Sequence, residues 1–336
     1  MSDQLRVGVV GAGVMGGTHL AALAADGVPA ILFDPSPEKA AKVAALHGAS
    51  VAGSLDELIS AANVVDVCAP TDRHSEIAIA AARAGRHVIC EKPLARTEDQ
   101  AEAMLEACEA SKVRLFPAHV LRYFPEYAAA REIVADGAIG DPAVLRLKRA
   151  SFRPRHGAEH WFFDHARSGG LILDLMIHDF DFARWVAGEV TSVHCRSVGA
   201  ARPELGVDHA FAILTHASGA ITQVTGSWAY GGDVFRTAME IAGSEGLLEH
   251  DSEAAQPTRW YLKRETAEEH QAVGLPGSPV AEDPYRLELR DFLRAITHGG
   301  TARVEARDGL AALRIALAAD ESAQTGRVVE LSGRSA

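Results

Sequence analysis

The chain has 336 residues, 48% of them hydrophobic and 23% charged, a balance that excludes extended disorder and leaves room for two domains of ordinary size. The formal net charge of −12 comes without any block of Lys or Arg that could track a phosphate backbone, so nucleic acid is not an expected partner. No apolar run approaches the ~18 residues a membrane helix needs, and the N-terminus enters an apolar stretch too early for a secretion signal.

The four cysteines, Cys68, Cys90, Cys108 and Cys195, have neither CxxC spacing nor the density of a disulfide scaffold. A reducing, cytoplasmic setting is the expectation, with no membrane partner.

Residues 5 to 118 alternate short β-branched runs with alanine-rich stretches of helical period, the pattern of βαβ units in a parallel sheet. Strands are expected at 6–10, 30–34, 64–69, 87–90 and 114–117, and helices at 14–25, 36–47, 74–84 and 97–110. From about 140 the period-2 runs lengthen, at 143–152, 190–198, 210–216 and 219–228, which predicts a mostly antiparallel sheet. A helix at 169–187 lies ahead of most of that sheet, and two more follow at 283–298 and 306–323. The expected fold is α/β: an N-terminal Rossmann domain with a doubly wound parallel sheet (1–120), then an α+β domain with a large, open, mostly antiparallel sheet (121–336) for substrate binding and oligomerisation. A cleft is expected between the two.

Gly11-Ala12-Gly13-Val14-Met15-Gly16 follows an apolar strand and opens a helix. Glycines there allow a tight turn, close approach of a pyrophosphate and helix-on-strand packing, while the helix N-terminus attracts phosphate. Asp34 ends the second strand, where a carboxylate accepts hydrogen bonds from ribose hydroxyls and repels a 2′-phosphate. Pro35 and Ser36 follow it and no arginine stands at that turn, so NAD is expected rather than NADP.

The strand over 64–69 runs into Pro70, Thr71 and His74, which either line the dinucleotide or simply start a helix. Glu91 and Lys92 end the next strand at the same edge. Lysine occurs only six times among 33 basic residues, so its place there is informative: it either orients a substrate hydroxyl or makes a surface salt bridge. On the 169–187 helix, Asp174 and His178 are four apart and Asp181 three further, so all three share one face of a regular helix. An imidazole oriented by a carboxylate is a general base; the other reading is a hydrogen-bonded core histidine.

GAGVMG, EKP and the GGxxxDxxxHDxD helix together resemble the Gfo/Idh/MocA family of oxidoreductases, which includes inositol and glucose dehydrogenases. The resemblance extends to HVLRYFPEY (119–127), AIGDP (138–142) and EIAGSEGLLEH (240–250). It implies that Lys92, Asp174 and His178 act on a substrate hydroxyl, and that the substrate is a polyhydroxylated ring such as an inositol or a sugar.

Trp161 with His160 and Asp164, the segment 228–236 including Tyr230, and Arg122, Arg153 and Arg155 either approach the cleft or serve in packing and surface charge. His156 and His160 are four apart, but no third ligand follows at suitable spacing, so no metal is expected. The leading activity is hydride transfer to NAD, myo-inositol 2-dehydrogenase-like; the alternatives are an NAD-dependent glycosidase and a non-enzymatic dinucleotide-binding regulator. The second domain's sheet needs cover on both faces, which predicts a homodimer or homotetramer through it.

Overall fold

The computed structural model describes residues 5–154, 160–199, 208–232, 234–253 and 282–331. The chain divides into two compact units, one of residues 1–123, 166–168 and 278–310, the other of 124–165, 169–277 and 311–336.

The first unit holds six parallel strands: β1 (Val7–Val10), β2 (Ala30–Phe33), β3 (Ser50–Val51), β4 (Val64–Val67), β5 (His87–Glu91) and β6 (Leu115–Ala118). Their order, β3-β2-β1-β4-β5-β6, reverses between β1 and β4, which is the switch point where open α/β sheets bind ligands. Helices α1 (Val14–Ala25), α2 (Pro37–His47), α3 (Leu55–Ala61), α4 (His74–Arg83) and α5 (Glu98–Ala110) connect them. β1 and β4 are buried along their whole length, so neither alternates apolar with polar, and β4 carries one buried carboxylate, Asp66. Local chemistry sets the helix ends: Ser36 Oγ accepts the Lys39 N–H, Pro37 begins α2, and Gly48 closes it at φ 69°. β3 and α3 were not among the expected elements, because two and seven residues are too few to establish a period.

A later helix, α9 (Pro284–His298), belongs to this unit and packs against α1 through Tyr285, Leu289 and Phe292. Phe292 stacks on Phe116 with ring centroids 4.9 Å apart. Burial of each such side chain stabilises by about 1.5–3 kcal/mol.

The second unit is built on a seven-stranded sheet in the order β12-β11-β7-β10-β9-β8-β13. The strands are β7 (Pro142–Phe152), β8 (Val190–Val198), β9 (His209–His216), β10 (Ile221–Tyr230), β11 (Phe235–Gly243), β12 (Leu247–Asp251) and β13 (Val329–Glu330). Every pairing is antiparallel except β7 with β10. The helices α6 (Pro125–Ala135), α7 (His165–Ser168), α8 (Ile177–Ala187) and α10 (Ala306–Thr325) complete the chain, and α8 lies on β7 and β10. β9 alternates strictly: Ala210, Ala212 and Leu214 are buried, while Phe211 and Ile213 are about half exposed on the other face, at 50% and 48%. Ile221 and Leu247 are exposed as well.

Candidate active site

Each glycine of the loop after β1 has a distinct reason to be glycine. Gly11 has φ +113°, and a Cβ on it would stand 2.5 Å from the Cys68 carbonyl oxygen; one on Gly16 would stand 1.8 Å from the Gly11 oxygen. A Cβ on Gly13 would meet nothing within 4 Å. The first and third glycines therefore close the turn against protein, and the second opens a concavity at the N-terminus of α1. Gly13 caps that helix without a side-chain hydrogen bond, and no acidic residue stands in the first turn that Val14 and Met15 begin. Free N–H groups over an uncharged, unobstructed surface fit the pyrophosphate of NAD. Asp34 fixes the loop from the side: Oδ2 accepts the Ala12 N–H and Oδ1 the Ser36 N–H, both at 2.8 Å. Each oxygen keeps a second lone pair for a ribose hydroxyl.

At the neighbouring strand ends, Thr71 and His74 are buried. The His74 ring lies between two backbone carbonyls, Nε2 2.9 Å from Ala69 O and Nδ1 3.0 Å from Pro93 O, so it bridges the loops that follow β4 and β5. Burial lowers its pKa, against the pull of those carbonyls. Glu91 ends β5, buried, and its Oε2 accepts the Lys92 N–H at 3.0 Å. His19, which the sequence reading did not single out, lies between Asp66 and Glu91, at 2.8 and 3.2 Å. The available signal was a lone titratable residue in an otherwise apolar and small-residue helix, GGTHL.

In the second unit Gly169 and Gly170, at φ +82° and +62°, turn the chain into a helical run that is not regular. Ile172–Met176 forms a π-helical turn, and α8 continues from Ile177. A Cβ on Gly226 of β10 would stand 2.4 Å from Met176, so that glycine lets the widened turn approach the sheet. Asp174 and His178 are half-buried in a run whose neighbours Leu173, Leu175, Met176, Ile177 and Phe180 are buried. The wider π turn brings residues four apart nearer to one line than a 3.6-residue turn does. Asp181, expected on the same face, is fully buried instead. On α8, Asp179 accepts two hydrogen bonds from the Arg149 guanidinium, at 2.8 and 3.2 Å, and Tyr127 Oη accepts a third at 3.5 Å; the side chains of Arg149 and Asp179 are almost wholly buried.

The remaining residues are spread. Arg122 is buried in the first unit and donates to Arg303 O and Asp308. Arg153 is half exposed over the Phe163 ring, 3.8 Å from Asp208. Trp161 sits edge-on to Phe162, which in turn lies against Trp228. The Tyr230 ring stands between Lys148 and Arg236. Lys148 alternates with Arg149, whose partner is on α8, so Tyr230 lies on the sheet face away from Asp174 and His178. Arg155 and His156 fall outside the described residues.

Comparison with known proteins follows the same division. Residues 5–119 match the family model described as an oxidoreductase family NAD-binding Rossmann fold, and residues 127–249 match the GFO/IDH/MocA C-terminal domain. The myo-inositol 2-dehydrogenase of Thermotoga maritima is 32% identical over 340 residues, covering 97% of this chain and 98% of that protein. Among solved structures, GenD2 from gentamicin A biosynthesis, in complex with NAD, superposes with a TM-score of 0.85 at 28% identity, over 99% of this chain and 98% of that one. Levoglucosan dehydrogenase bound to NADH and levoglucosan does so with a TM-score of 0.82 at 28% identity, over 98% and 99%.

Proposed function

This chain belongs to the Gfo/Idh/MocA family of NAD-binding oxidoreductases, and within it we propose a dehydrogenase that moves a hydride between the nicotinamide and a hydroxyl-bearing carbon of a cyclitol or sugar ring. The observation that carries this reading is the pair Asp174 and His178, half-open on a widened helical turn amid buried apolar neighbours. Bound at the glycine cradle, the dinucleotide supplies the hydride acceptor. His178 takes the hydroxyl proton, Asp174 orients the imidazole, and the Lys92 ammonium holds the reacting oxygen as charge develops on it. Arg153 and Trp161 are the further residues assigned to substrate. The names of the relatives, an inositol 2-dehydrogenase and a levoglucosan dehydrogenase among them, support a ring polyol, with myo-inositol the first to try.

The test is turnover of purified protein with NAD against inositols, aldoses and anhydrosugars, followed as NADH absorbance. Accumulation of NADH with one of them is the expected result. Glycoside cleavage with catalytic NAD and no net NADH would replace this reading with the glycosidase.

A second copy of the chain is assigned to the open face of the second unit's sheet. Phe211, Ile213, Ile221 and Leu247 give that face an apolar stripe, and Arg146 with Glu240 a charged one, in keeping with a self-complementary interface.

A further inference from the structure

We propose that His19 is a positioning residue: clamped as an imidazolium between Asp66 and Glu91, it fixes the Glu91 carboxylate and, through it, the backbone turn that carries Lys92. This rests on the reading above that Lys92 acts on the substrate.

The geometry favours two protons on one ring. Nδ1 is hydrogen-bonded to Asp66 Oδ2 at 2.8 Å, and Nε2 lies at ion-pair distance, 3.2 Å, from Glu91 Oε1 without an aligned hydrogen bond to it. Neutral imidazole has a single N–H and would leave one carboxylate unanswered. The side chains of His19 and Asp66 are wholly buried and that of Glu91 is 8% exposed, so two carboxylates without a cation between them would be costly. Burial opposes charge on His19, but Asp66 and Cys68, by attraction and hydrogen bonding together, outweigh it and carry the imidazole well above its usual range. Glu91 is likewise held below its usual range despite burial, by the neighbouring His19 and Lys92.

The groups facing this cluster are Asp66 on β4 and Cys68 just after it, Cys90 and Glu91 on β5, Lys92 just after that strand, His74 at the start of α4, and Tyr285, Glu288 and Asp283 on and before α9. Cys68 Sγ lies 3.4 Å from Nδ1, and burial pushes its thiol up, so it stays protonated. The 2.8 Å contact between His19 Nδ1 and Asp66 Oδ2 is a hydrogen-bond distance.

The clamp connects three pieces of chain that the reaction requires in register. His19 is on α1, the helix whose N-terminus forms the glycine cradle; Asp66 is on β4; Glu91 ends β5. The second oxygen of Glu91 accepts the Lys92 N–H, and His74 holds Pro93 O from the other side. The turn bearing Lys92 is thus fixed relative to the cofactor cradle by one ring.

Substitutions separate this from a packing role. In Glu91→Gln the imidazolium still demands an acceptor, so the amide oxygen turns to His19 and the NH2 faces the Lys92 N–H, donor against donor. In His19→Gln/Glu91→Gln the new amide at 19 offers a carbonyl, so the amide at 91 turns over and accepts from Lys92 again. Each single variant is expected to lose about tenfold or more in kcat with NAD affinity near wild type, while the double variant recovers part of that loss. His19→Gln also introduces an acidic limb into the kcat profile, because Glu91 loses its counter-ion, and Glu91→Gln removes that limb.

Nitrogen-15 spectra of histidine-labelled protein at about pH 8, above the ~6.5 of free histidine, should show both ring nitrogens of His19 protonated. A neutral ring there, wild-type kcat in Glu91→Gln, or a double variant no better than the singles overturns the proposal. Glu91→Gln keeps His19 and Asp66 as a neutral pair, so it provides a test should His19→Gln not fold. Wild-type kcat in Lys92→Ala instead overturns the role of Lys92, and the spectra still decide the clamp.

Discussion

Asp34 Oδ2 accepts the Ala12 N–H at 2.8 Å, so the carboxylate that follows β2 also holds the glycine loop in place. On the proposed ribose role of Asp34, cofactor choice and loop rigidity are linked in one side chain. Asp34→Ser/Pro35→Arg should move preference toward NADP, because a repulsive carboxylate gives way to a phosphate partner. Asp34→Ala should weaken NAD binding and also destabilise the fold by about 1–3 kcal/mol through the orphaned N–H groups. Calorimetric titration with both dinucleotides checks the first point; tighter binding of NADP than NAD by the wild type would remove Asp34 from the ribose.

His178→Ala should lower kcat by about 10²- to 10⁴-fold, and Lys92→Ala by a comparable factor, with NAD affinity nearly intact. Asp174→Asn should cost less, and Asp174→Asn/His178→Ala little more than His178→Ala alone, because the two act as a unit. Steady-state kinetics on the best substrate decides this. A His178→Ala enzyme with wild-type kcat would sink the general-base assignment and leave Lys92 as the base.

The Arg149–Asp179 pair anchors α8, and with it His178, to β7. Removing one partner strands the other charge in a buried site, so Asp179→Asn or Arg149→Met should cost about 3–5 kcal/mol. The double variant Arg149→Met/Asp179→Leu should cost less than either single one, as measured by urea unfolding. Additive losses would mean that the charges are not coupled.

Stability should fall on acidification through two histidines held neutral. His216 Nδ1 lies 2.7 Å from Gly188 O and Nε2 2.8 Å from Thr222 Oγ1, and burial lowers its pKa. His87 Nδ1 accepts the Arg114 N–H at 3.0 Å, and burial, aided by the Arg114 cation, lowers its pKa too. With folded-state values below the unfolded ~6.5, their contribution is complete above that pH and is lost as pH falls through it toward the folded values. The urea midpoint should therefore drop as pH falls below ~6.5, and drop less in His216→Gln/His87→Asn. An equal drop in the variant would place the effect elsewhere.

If a second copy covers the open sheet face, Phe211→Arg/Ile213→Asp should give a monomer that keeps its cooperative unfolding transition. Light scattering reads the mass directly, and a monomeric wild type at micromolar concentration would dispose of the interface.

The cofactor end of the molecule was written in the sequence because its requirements are local. Gly11, Gly13, Gly16 and Asp34 do their work within one β-turn-α-β unit, where spacing alone sets the geometry, and the apolar runs dictated a parallel sheet. The four-residue spacing of Asp174 and His178 was equally legible. That the turn between them widens where Met176 packs close to Gly226, in a strand fifty residues on, and that Asp181 is buried, were not. Tyr230 reads as a site residue by position, but strand alternation and the bulge at Ala229 put its ring among Lys148 and Arg236 on the other face. Of the His19, Asp66 and Glu91 cluster only Glu91 lies in a recognised motif, EKP, and the three become neighbours only when the strand order sets β4 beside β5 under α1. Local propensity and spacing determined the elements and the cradle, whereas which buried charges meet was decided by tertiary packing, because an ion pair exists only where two distant segments are brought within a few ångströms.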